Sequence, residues 1–287
     1  MRYALRLGVS VASILFCLFA PVAQAQQGSA TVRPSPQSPA SAPVDLRVKA
    51  TERAIDESIP NDPGVDAVIA PYSAKVRELD SPIGKLVGDL KKTGMGAGSL
   101  GNFVADALRA RAAAKLGKPV LLAITNSGGL RKNEIAAGHL TSSDIYQLLP
   151  FENALVALDL NGEQLRRFLD VVVVHRDAQS GAHILYRTNE KKQNEIVTVK
   201  LNSGGAEKEI DPKATYTIVT IDYLVKRGGD YSVLQQATNV RPLGLTMRDA
   251  VLEYVKAETA AGRAVNATLD GRFRSDKPGT SKKEDEP

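Results

Sequence analysis

The first 43 residues differ so strongly from the rest of the chain that they restrict the fold to the residues after them. Two arginines precede an apolar run at Leu7–Ala20, and small residues follow at Ala23 and Ala25. This order is typical of a secretory signal peptide, here residues 1–25, with cleavage after Ala25. The apolar run is shorter than the roughly 20 residues that cross a bilayer. We therefore expect a periplasmic or secreted protein without a retained membrane anchor.

Two further segments lack the apolar residues that a core needs. Residues 26–43 read QQGSATVRPSPQSPASAP, a Pro-, Ser- and Ala-rich composition that is typical of a flexible linker. The end at 276–287 is polar with mixed charges, which favours a solvated tail over a binding motif. The folded part is therefore expected at about Val44 to Ser275, a length that suits one or two domains.

The charge and the cysteine content exclude several classes of function. The chain has 37 Lys and Arg against 32 Asp and Glu, and its net charge of +5 falls to +3 when Arg2 and Arg6 leave with the signal. So small an excess, without a clustered basic stripe, argues against a nucleic-acid partner. The single cysteine, Cys17, also lies in the signal. Disulfides, iron–sulfur clusters, zinc–thiolate sites and cysteine nucleophiles are thereby excluded from the mature chain.

Apolar residues at helical spacing predict five helices. They are Pro63–Leu79, Ser99–Gly117, Glu163–Val174, Met247–Ala260 and a short helix that begins near Thr141 and ends before Pro150. The first carries an apolar stripe from Val65 to Val76 and is predicted to lie on a core. Ser99 and Thr246 are the expected N-caps of two helices, and Gly117 suits a helix C-terminus.

Apolar and β-branched runs predict five strands. They are Pro119–Thr125, Ala154–Leu160, His183–Thr188, Glu195–Leu201 and Thr215–Ile221. Only a short polar stretch separates the third from the fourth, so these two are predicted to form a hairpin. Helices and strands are mixed without a strict strand–helix–strand repeat. We therefore expect an α+β fold of layered sheets and helices rather than a doubly wound sheet.

Three loops that follow predicted strands or helices carry residues suited to ligand binding. In the first, Asn126–Arg131, the glycines Gly128 and Gly129 let backbone N–H groups approach a ligand closely. Arg131 offers several planar donors to phosphate or hydroxyl oxygens. A tight turn with a solvated arginine remains the alternative.

The other two loops each present an aromatic residue. Phe151 follows Pro150 at a loop corner, although a phenylalanine beside a proline is more often part of the core. Tyr223 follows a predicted strand, and Asp230 follows two glycines, an arrangement that can grip sugar hydroxyls. A solvated turn is again the alternative for this third loop.

Five short strings occur in a fixed order along the chain. They are Leu100–Ala107, Asn-x-Gly-Gly-x-Arg at 126–131, Pro-Phe-x-Asn at 150–153, Gly-Gly-Asp at 228–230 and Asp-Gly-Arg at 270–272. Together they resemble the C-terminal domain of the 5′-nucleotidase family over about Ala67 to Phe273. By this resemblance, 99–275 is that domain. The part before it, 44–98, is an N-terminal extension whose helix is placed where relatives join their two domains.

The resemblance implies recognition of a nucleotide or nucleoside, in nucleotide catabolism. The base would stack between the rings of Phe151 and Tyr223, which suits several bases because every base has a π-face. Either Asn126 or Asn153 would hydrogen-bond the base edge. The implied substrate-binding set is Asn126, Gly128, Gly129, Arg131, Phe151, Asn153, Tyr223, Gly229 and Asp230.

Asp230 would hold the ribose hydroxyls and Arg131 would reach the sugar-phosphate side. Two departures from the family pattern bear on this expectation. Some relatives place further arginines before the second helix, where this chain has Lys91 and Lys92, which are point charges without a planar fork. Glu152 stands where relatives commonly have Gly, which places a carboxylate beside the two rings that would hold the base. This carboxylate would either repel phosphate or bind another ligand.

The resemblance also implies a part that this sequence lacks. Full-length relatives carry a metallophosphatase domain with two metals and with Asp-x-His and Asn-His-Glu or Asn-His-Asp strings, none of which occurs in these 287 residues. His139, His175 and His183 are outside metal-binding spacing, which favours surface or loop roles. We therefore expect no catalytic residue, no metal ligand and no cofactor in this chain.

Two hypotheses remain. In the first, the chain is the exported substrate-recognition half of a split 5′-nucleotidase, and two divalent metals are held by a separately encoded metallophosphatase subunit. In the second, it is a stand-alone periplasmic nucleoside- or nucleotide-binding module, or a structural module, without catalysis. In both, nucleic acid and, after signal cleavage, the membrane are excluded as partners.

Overall fold

The computed structural model describes residues 50–56, 58–203 and 205–277. The predicted signal peptide and linker, and most of the predicted tail, lie outside these residues. The chain divides into two units after Pro60. The described residues of the first unit, 50–56 and 58–60, form no helix or strand. Every element named below belongs to the second unit, which begins at Asn61.

The described part of the second unit contains six α-helices. They are α1 (Pro63–Glu78), α2 (Gly98–Leu116), α3 (Ser142–Leu148), α4 (Gly162–His175), α5 (Asp222–Arg227) and α6 (Met247–Ala260). No periodicity in the sequence predicts α5, which is only six residues long. No helix of the described residues combines the length and the apolar character that crossing a bilayer demands.

The strands number thirteen among the described residues. They are β1 (Pro82–Leu86), β2 (Leu90–Lys91), β3 (Leu122–Thr125), β4 (Glu134–Ile135), β5 (Gly138–Thr141), β6 (Ala154–Asn161), β7 (Ala178–Ser180), β8 (Ala182–Thr188), β9 (Asn194–Ser203), β10 (Ala206–Lys208), β11 (Thr215–Ile221), β12 (Thr238–Thr246) and β13 (Phe273–Ser275). All five predicted strands are present, although β3 begins three residues later than predicted.

A mixed five-stranded sheet forms the centre of the fold, with strand order β12-β6-β11-β3-β7. In it, β11 and β3 are parallel, and the other pairs are antiparallel. A second sheet has the order β10-β9-β8-β13 and contains the predicted hairpin of β8 and β9. Two small sheets pair β1 with β5 and β2 with β4. This mixture of sheets and helices confirms the α+β class.

The main core lies where α2 packs against α6 and the five-stranded sheet. Phe103 of α2 is 1% exposed, and its ring centroid lies 6.4 Å from that of Tyr254 on α6. Burial of one such side chain stabilises the fold by about 1.5–3 kcal/mol. Gly101 allows the start of α2 to approach the backbone of Gly96 closely, because a Cβ at position 101 would lie 1.9 Å from the carbonyl oxygen of Gly96.

The Asp-Gly-Arg string ties the end of the fold to α2. The Arg272 side chain is 11% exposed and donates to Asp106 on α2 at 2.9 Å and to Asp270 at 2.7 Å. It also donates to the carbonyl oxygen of Gln179 at 3.0 Å. We call Asp106, Asp270 and Arg272 the Arg272 cluster. Every group in it has a protein partner, which indicates a structural role.

Local capping determines several helix ends as predicted. Thr246 Oγ1 accepts the N–H of Asp249 at 3.0 Å at the start of α6. At the C-terminus of α2, Gly117 has a φ of 64°, in the left-handed region that favours glycine.

The predicted N-cap of α2, Ser99, is wrong. The helix begins one residue earlier, and Ala97 occupies the cap position. Ser99 Oγ instead accepts the backbone N–H of Lys91 at 2.8 Å, which joins α2 to β2. The tertiary contact therefore outweighs the local capping preference of serine.

α1 forms where predicted, but the prediction that it lies on a core is wrong. None of its residues is buried, and Val68 and Tyr72 are 69% and 67% exposed. The helix begins through a local contact, because Asp62 Oδ1 accepts the backbone N–H groups of Gly64 and Val65. Apolar periodicity indicates which face is apolar and does not indicate what covers it. α1 therefore presents an exposed apolar face.

Candidate functional site

The three predicted loops meet at one edge of the five-stranded sheet. Because β3 and β11 are parallel, their carboxyl ends lie at the same edge. β6 is antiparallel to β11, and the pairing of Ile221 with Leu155 places the start of β6 beside the end of β11. The loops at 126–131 and 149–153 and the third predicted loop, 222–231, therefore converge, and we call this edge the cleft edge. The third segment is not an open loop as predicted, because its first six residues form α5.

The loops line a cleft of about 380 Å³ at this edge. Its lining residues are Asn126, Gly128, Gly129, Arg131, Phe151, Asn153, Tyr223 and Arg227. Seven of the nine predicted substrate-binding residues are among them, whereas Gly229 and Asp230 are not. The structure thus brings most of the predicted set together, and their role in binding stays a prediction.

Two aromatic rings with accompanying arginines dominate the cleft. Phe151 and Tyr223 are 45% and 42% exposed, so part of each ring is open to a ligand. The Cζ of Arg131 lies 5.9 Å from the ring centroid of Phe151, and the Cζ of Arg227 lies 5.7 Å from that of Tyr223. Arg227 also donates from Nη1 to the Tyr223 hydroxyl at 3.0 Å. Flat apolar surfaces flanked by positive charge suit a planar ligand that carries an anionic group.

Asn126 contributes an acceptor that the protein leaves unused. Its Oδ1 is buried and accepts no hydrogen bond from any residue that the structure describes. Gly129 makes room beside it, because a Cβ at that position would come within 3.2 Å of Oδ1. A buried acceptor without a partner costs about 1–3 kcal/mol, so a ligand N–H at this point would recover a substantial part of that cost.

A buried carboxylate behind the cleft connects two of the loops. Asp177 follows α4 and is 1% exposed. Its Oδ1 accepts the N–H of Ser127 at 2.9 Å, and its Oδ2 accepts the hydroxyl of Tyr231 at 2.5 Å. Burial raises the pKa of Asp177, although the hydrogen bonds and the nearby His175 oppose that shift. Asp177 therefore fixes the first loop and the third loop to each other.

The Gly-Gly pair sends the two following side chains in different directions. Gly228 and Gly229 have φ values of +67° and +58°, which residues with a Cβ rarely adopt. Tyr231 turns inward and is 2% exposed. Asp230 turns outward, and its Oδ2 lies 2.8 Å from Nε2 of His175. The carboxylate that is predicted to bind ribose is therefore in contact with His175, and it does not line the cleft.

The two departures from the family pattern have structural explanations. Glu152 forms an ion pair with Arg248. Its charge is therefore compensated rather than left free beside the rings. Lys92 Nζ donates to the carbonyl oxygen of Leu130 at 2.8 Å, and burial, together with the charge of Arg131, lowers its pKa. The Nζ of Lys91 instead lies 3.6 Å from Oε1 of Glu134. Lys92 thus supports the first loop from behind.

The donor groups do not fit a metal centre in the part of the chain that the structure describes. In that part of the chain, no group of three or more His, Cys, Asp or Glu side chains could hold a metal ion. His139 lies in β5, and His183 pairs with Glu207 at 2.6 Å on the second sheet.

Three residues at the cleft edge escape the sequence reasoning. Arg227 directly precedes the Gly-Gly pair, and a cation beside glycines is a signal that could have found it. Asp177 and His175 lie about 50 residues from the loops that they contact, and no local pattern marks them. Both residues reach the cleft edge because α4 ends there and β7, which follows Asp177, pairs with β3.

Comparison with known proteins shows the family. The model of the family described as 5′-nucleotidase, C-terminal domain, matches residues 75–236, and the chain belongs to this family. The fold is similar to that of a 5′-nucleotidase precursor from Thermus thermophilus, with a TM-score of 0.64 and 24% identity. That similarity covers 75% of this chain and 43% of the solved chain.

Two curated relatives are each much longer than the matched region. The chain is 29% identical over 184 residues to the trifunctional nucleotide phosphoesterase protein YfkN of Bacillus subtilis, covering 61% of this chain and 12% of YfkN. It is 25% identical over 207 residues to the protein UshA of Yersinia enterocolitica, covering 70% of this chain and 36% of UshA. The chain therefore spans well under half of either relative.

Proposed function

We propose that this chain is the exported nucleotide-recognition domain of a 5′-nucleotidase-type phosphohydrolase and acts with a separate metallophosphatase subunit. The observation that carries the proposal is the pair of open rings, Phe151 and Tyr223, each beside an arginine. The rings suit the two faces of a base, and the guanidinium groups of Arg131 and Arg227 suit an anionic phosphate.

The free acceptor of Asn126 supports the same ligand class. A purine or pyrimidine with an exocyclic amino group carries an N–H donor on its edge, and Asn126 Oδ1 lies buried in the cleft lining without a protein partner among the described residues. Satisfying this atom would contribute about 0.5–1.5 kcal/mol of net binding free energy. The cleft would therefore hold the base, and the two arginines would orient the phosphate.

The exposed face of α1 supports the partner. Val65, Val68, Ile69, Tyr72 and Val76 are each at least half exposed and share one side of the helix. Such a contiguous apolar surface is typical of a protein contact. The second observation is that the described residues offer no metal-binding cluster. We propose that a metallophosphatase subunit covers α1 and holds two divalent metals, which supply the attacking water, while this chain holds the nucleotide.

The first experiment mixes the mature chain, from residue 26, with a candidate exported metallophosphatase from the same genome and measures phosphate release from AMP. We expect the mixture to release phosphate at least tenfold faster than the phosphatase alone. The double variant Val68→Lys, Tyr72→Lys should weaken association by at least about tenfold. Val87→Lys is the matched control, since Val87 is a valine that is 60% exposed outside α1.

Calorimetry with AMP and adenosine separates the two hypotheses. Binding of AMP without the partner, together with no gain in phosphate release on mixing, would leave a stand-alone binding module. Absence of AMP binding at millimolar concentration, both alone and with the partner, would contradict nucleotide recognition altogether.

Sequencing of the N-terminus of the exported protein tests the predicted cleavage after Ala25.

A further inference from the structure

His175, the last residue of α4, contacts both glycine-bearing loops at the cleft edge. Its Nε2 lies 2.8 Å from Oδ2 of Asp230, and its ring stacks on Tyr231 with centroids 5.3 Å apart and planes 23° apart. Its carbonyl oxygen accepts the hydroxyl of Ser127 at 3.3 Å. The imidazole is therefore held by Asp230 and Tyr231, whereas the first loop contacts only the backbone of His175.

The direction of the contact follows from its chemistry. A carboxylate oxygen accepts hydrogen bonds, so in this contact Nε2 of His175 is assigned as the donor and Oδ2 of Asp230 as the acceptor. The histidine is in turn fixed by Tyr231, whose hydroxyl donates to the buried Asp177. A continuous chain of contacts thus runs from the interior to a carboxylate that is 69% exposed.

This chain of contacts leaves part of Asp230 available. Its Oδ1 accepts no hydrogen bond within the described residues. An exposed aspartate normally samples several rotamers, and ordering it on binding costs conformational entropy. The contact with His175 orders the Asp230 side chain before a ligand binds. Asp230 therefore presents its other oxygen, Oδ1, in one orientation. Such an oxygen suits the hydroxyl donors of a vicinal diol.

We propose that His175 is a positioning residue for sugar recognition, which it serves by holding Asp230 in the orientation that accepts the ribose hydroxyls. This inference rests on the proposed function, because it concerns the sugar of the same nucleotide. It assigns to α4 a role in selecting ribose. The base and the phosphate would be recognised by the rings and arginines of the cleft.

The test is the affinity ratio of AMP to 2′,3′-dideoxy-AMP, measured by calorimetry on the mature chain. The wild type should bind AMP at least about tenfold more tightly than the dideoxy analogue. The reason is that only AMP has ribose hydroxyls that can donate hydrogen bonds to the Asp230 carboxylate. His175→Phe keeps a ring on Tyr231 and loses the donor, so the ratio should fall several-fold. His175→Gln keeps a donor and should retain most of the preference, and Asp230→Asn should reduce the preference as His175→Phe does.

The matched control is His183→Phe. His183 also pairs with a carboxylate, Glu207, but lies on the second sheet, so its replacement should leave the ratio unchanged. A purely structural role of His175 would lower both affinities together and keep the ratio. An unchanged ratio in His175→Phe, with AMP still bound, overturns this inference alone. A wild type that binds no AMP overturns the proposed function and this inference together.

Discussion

The cleft edge and the Arg272 cluster are both built from polar side chains, yet they differ in how completely those side chains are paired. Arg272 has protein partners on two carboxylates and a carbonyl oxygen. At the cleft edge, Asn126 Oδ1 has no partner among the described residues, and two aromatic rings are partly open. The first arrangement stabilises the fold, whereas the second leaves a buried acceptor unpaired at some cost in stability. Completeness of pairing therefore distinguishes the Arg272 cluster from the cleft edge.

The largest effect is expected for Arg272→Met. This change leaves Asp106 and Asp270 without their cation, and breaking a buried ion pair typically costs about 3–5 kcal/mol. Because both carboxylates are partly exposed, we expect the free energy of unfolding to fall by about 2–4 kcal/mol. Chemical denaturation measures it. A loss below about 1 kcal/mol would contradict the structural assignment of the cluster.

The acid response of the same variant sharpens this prediction. Burial raises the pKa of Asp270, but the hydrogen bonds and charge of Arg272 outweigh burial and hold it below its ordinary value. A lowered pKa stabilises the native state above the unfolded value near 3.9, and this contribution is lost as the pH falls through the folded value. The stability difference between wild type and Arg272→Met should therefore stay constant above about pH 5 and narrow as the pH falls below about 4. A widening difference would reverse the sign and refute the explanation.

The next largest effect is expected for Tyr223→Ala at the cleft. Loss of one stacking ring should weaken AMP binding by about 1–3 kcal/mol, or roughly 5- to 150-fold. Because the ring is 42% exposed, the free energy of unfolding should change by less than about 1 kcal/mol. Calorimetry and denaturation measure the two effects. If stability falls while affinity is kept, the cleft would resemble the Arg272 cluster and the comparison would break.

The smallest effect is expected for Asn126→Ala. Removing a buried acceptor that has no described partner should leave the free energy of unfolding unchanged or slightly higher. Binding of AMP should weaken by about 0.5–1.5 kcal/mol, because the proposed hydrogen bond to the base edge would be lost. Asn266→Ala is the matched control, since Asn266 is exposed and does not line the cleft, and it should leave both quantities unchanged. Equal affinity for AMP and for an analogue without the amino group, in wild type, would contradict the role of Asn126.

Much of the fold is predictable because it depends on local chemistry. Thr246 caps α6 through its own hydroxyl, and the short separation of β8 and β9 produces the predicted hairpin. The cleft-lining loops are also predictable, because glycine and proline mark strand and helix ends whatever surrounds them. α1 and Ser99 show the limit. Whether an apolar face is covered, or whether a serine caps or bonds to a strand, depends on residues distant in sequence.

The candidate site divides in the same way. Phe151 and Tyr223 can be found from the chain alone because each directly follows a recognisable break. Asp177 and His175 cannot, since they act through strand pairing and a helix end. The predicted role of Asp230 stays a prediction, and its contact with His175 is information that only the three-dimensional structure provides.

The position of Asp177 also has a consequence for the order of folding. Its two partners, Ser127 and Tyr231, lie 50 and 54 residues away in the sequence, on either side of it. Contacts of such separation require long loops to close and form slowly compared with local helices and hairpins. The hairpin of β8 and β9 can therefore form early, while the cleft edge is completed only when both distant loops reach Asp177. Ligand binding during refolding should consequently report a late step of assembly.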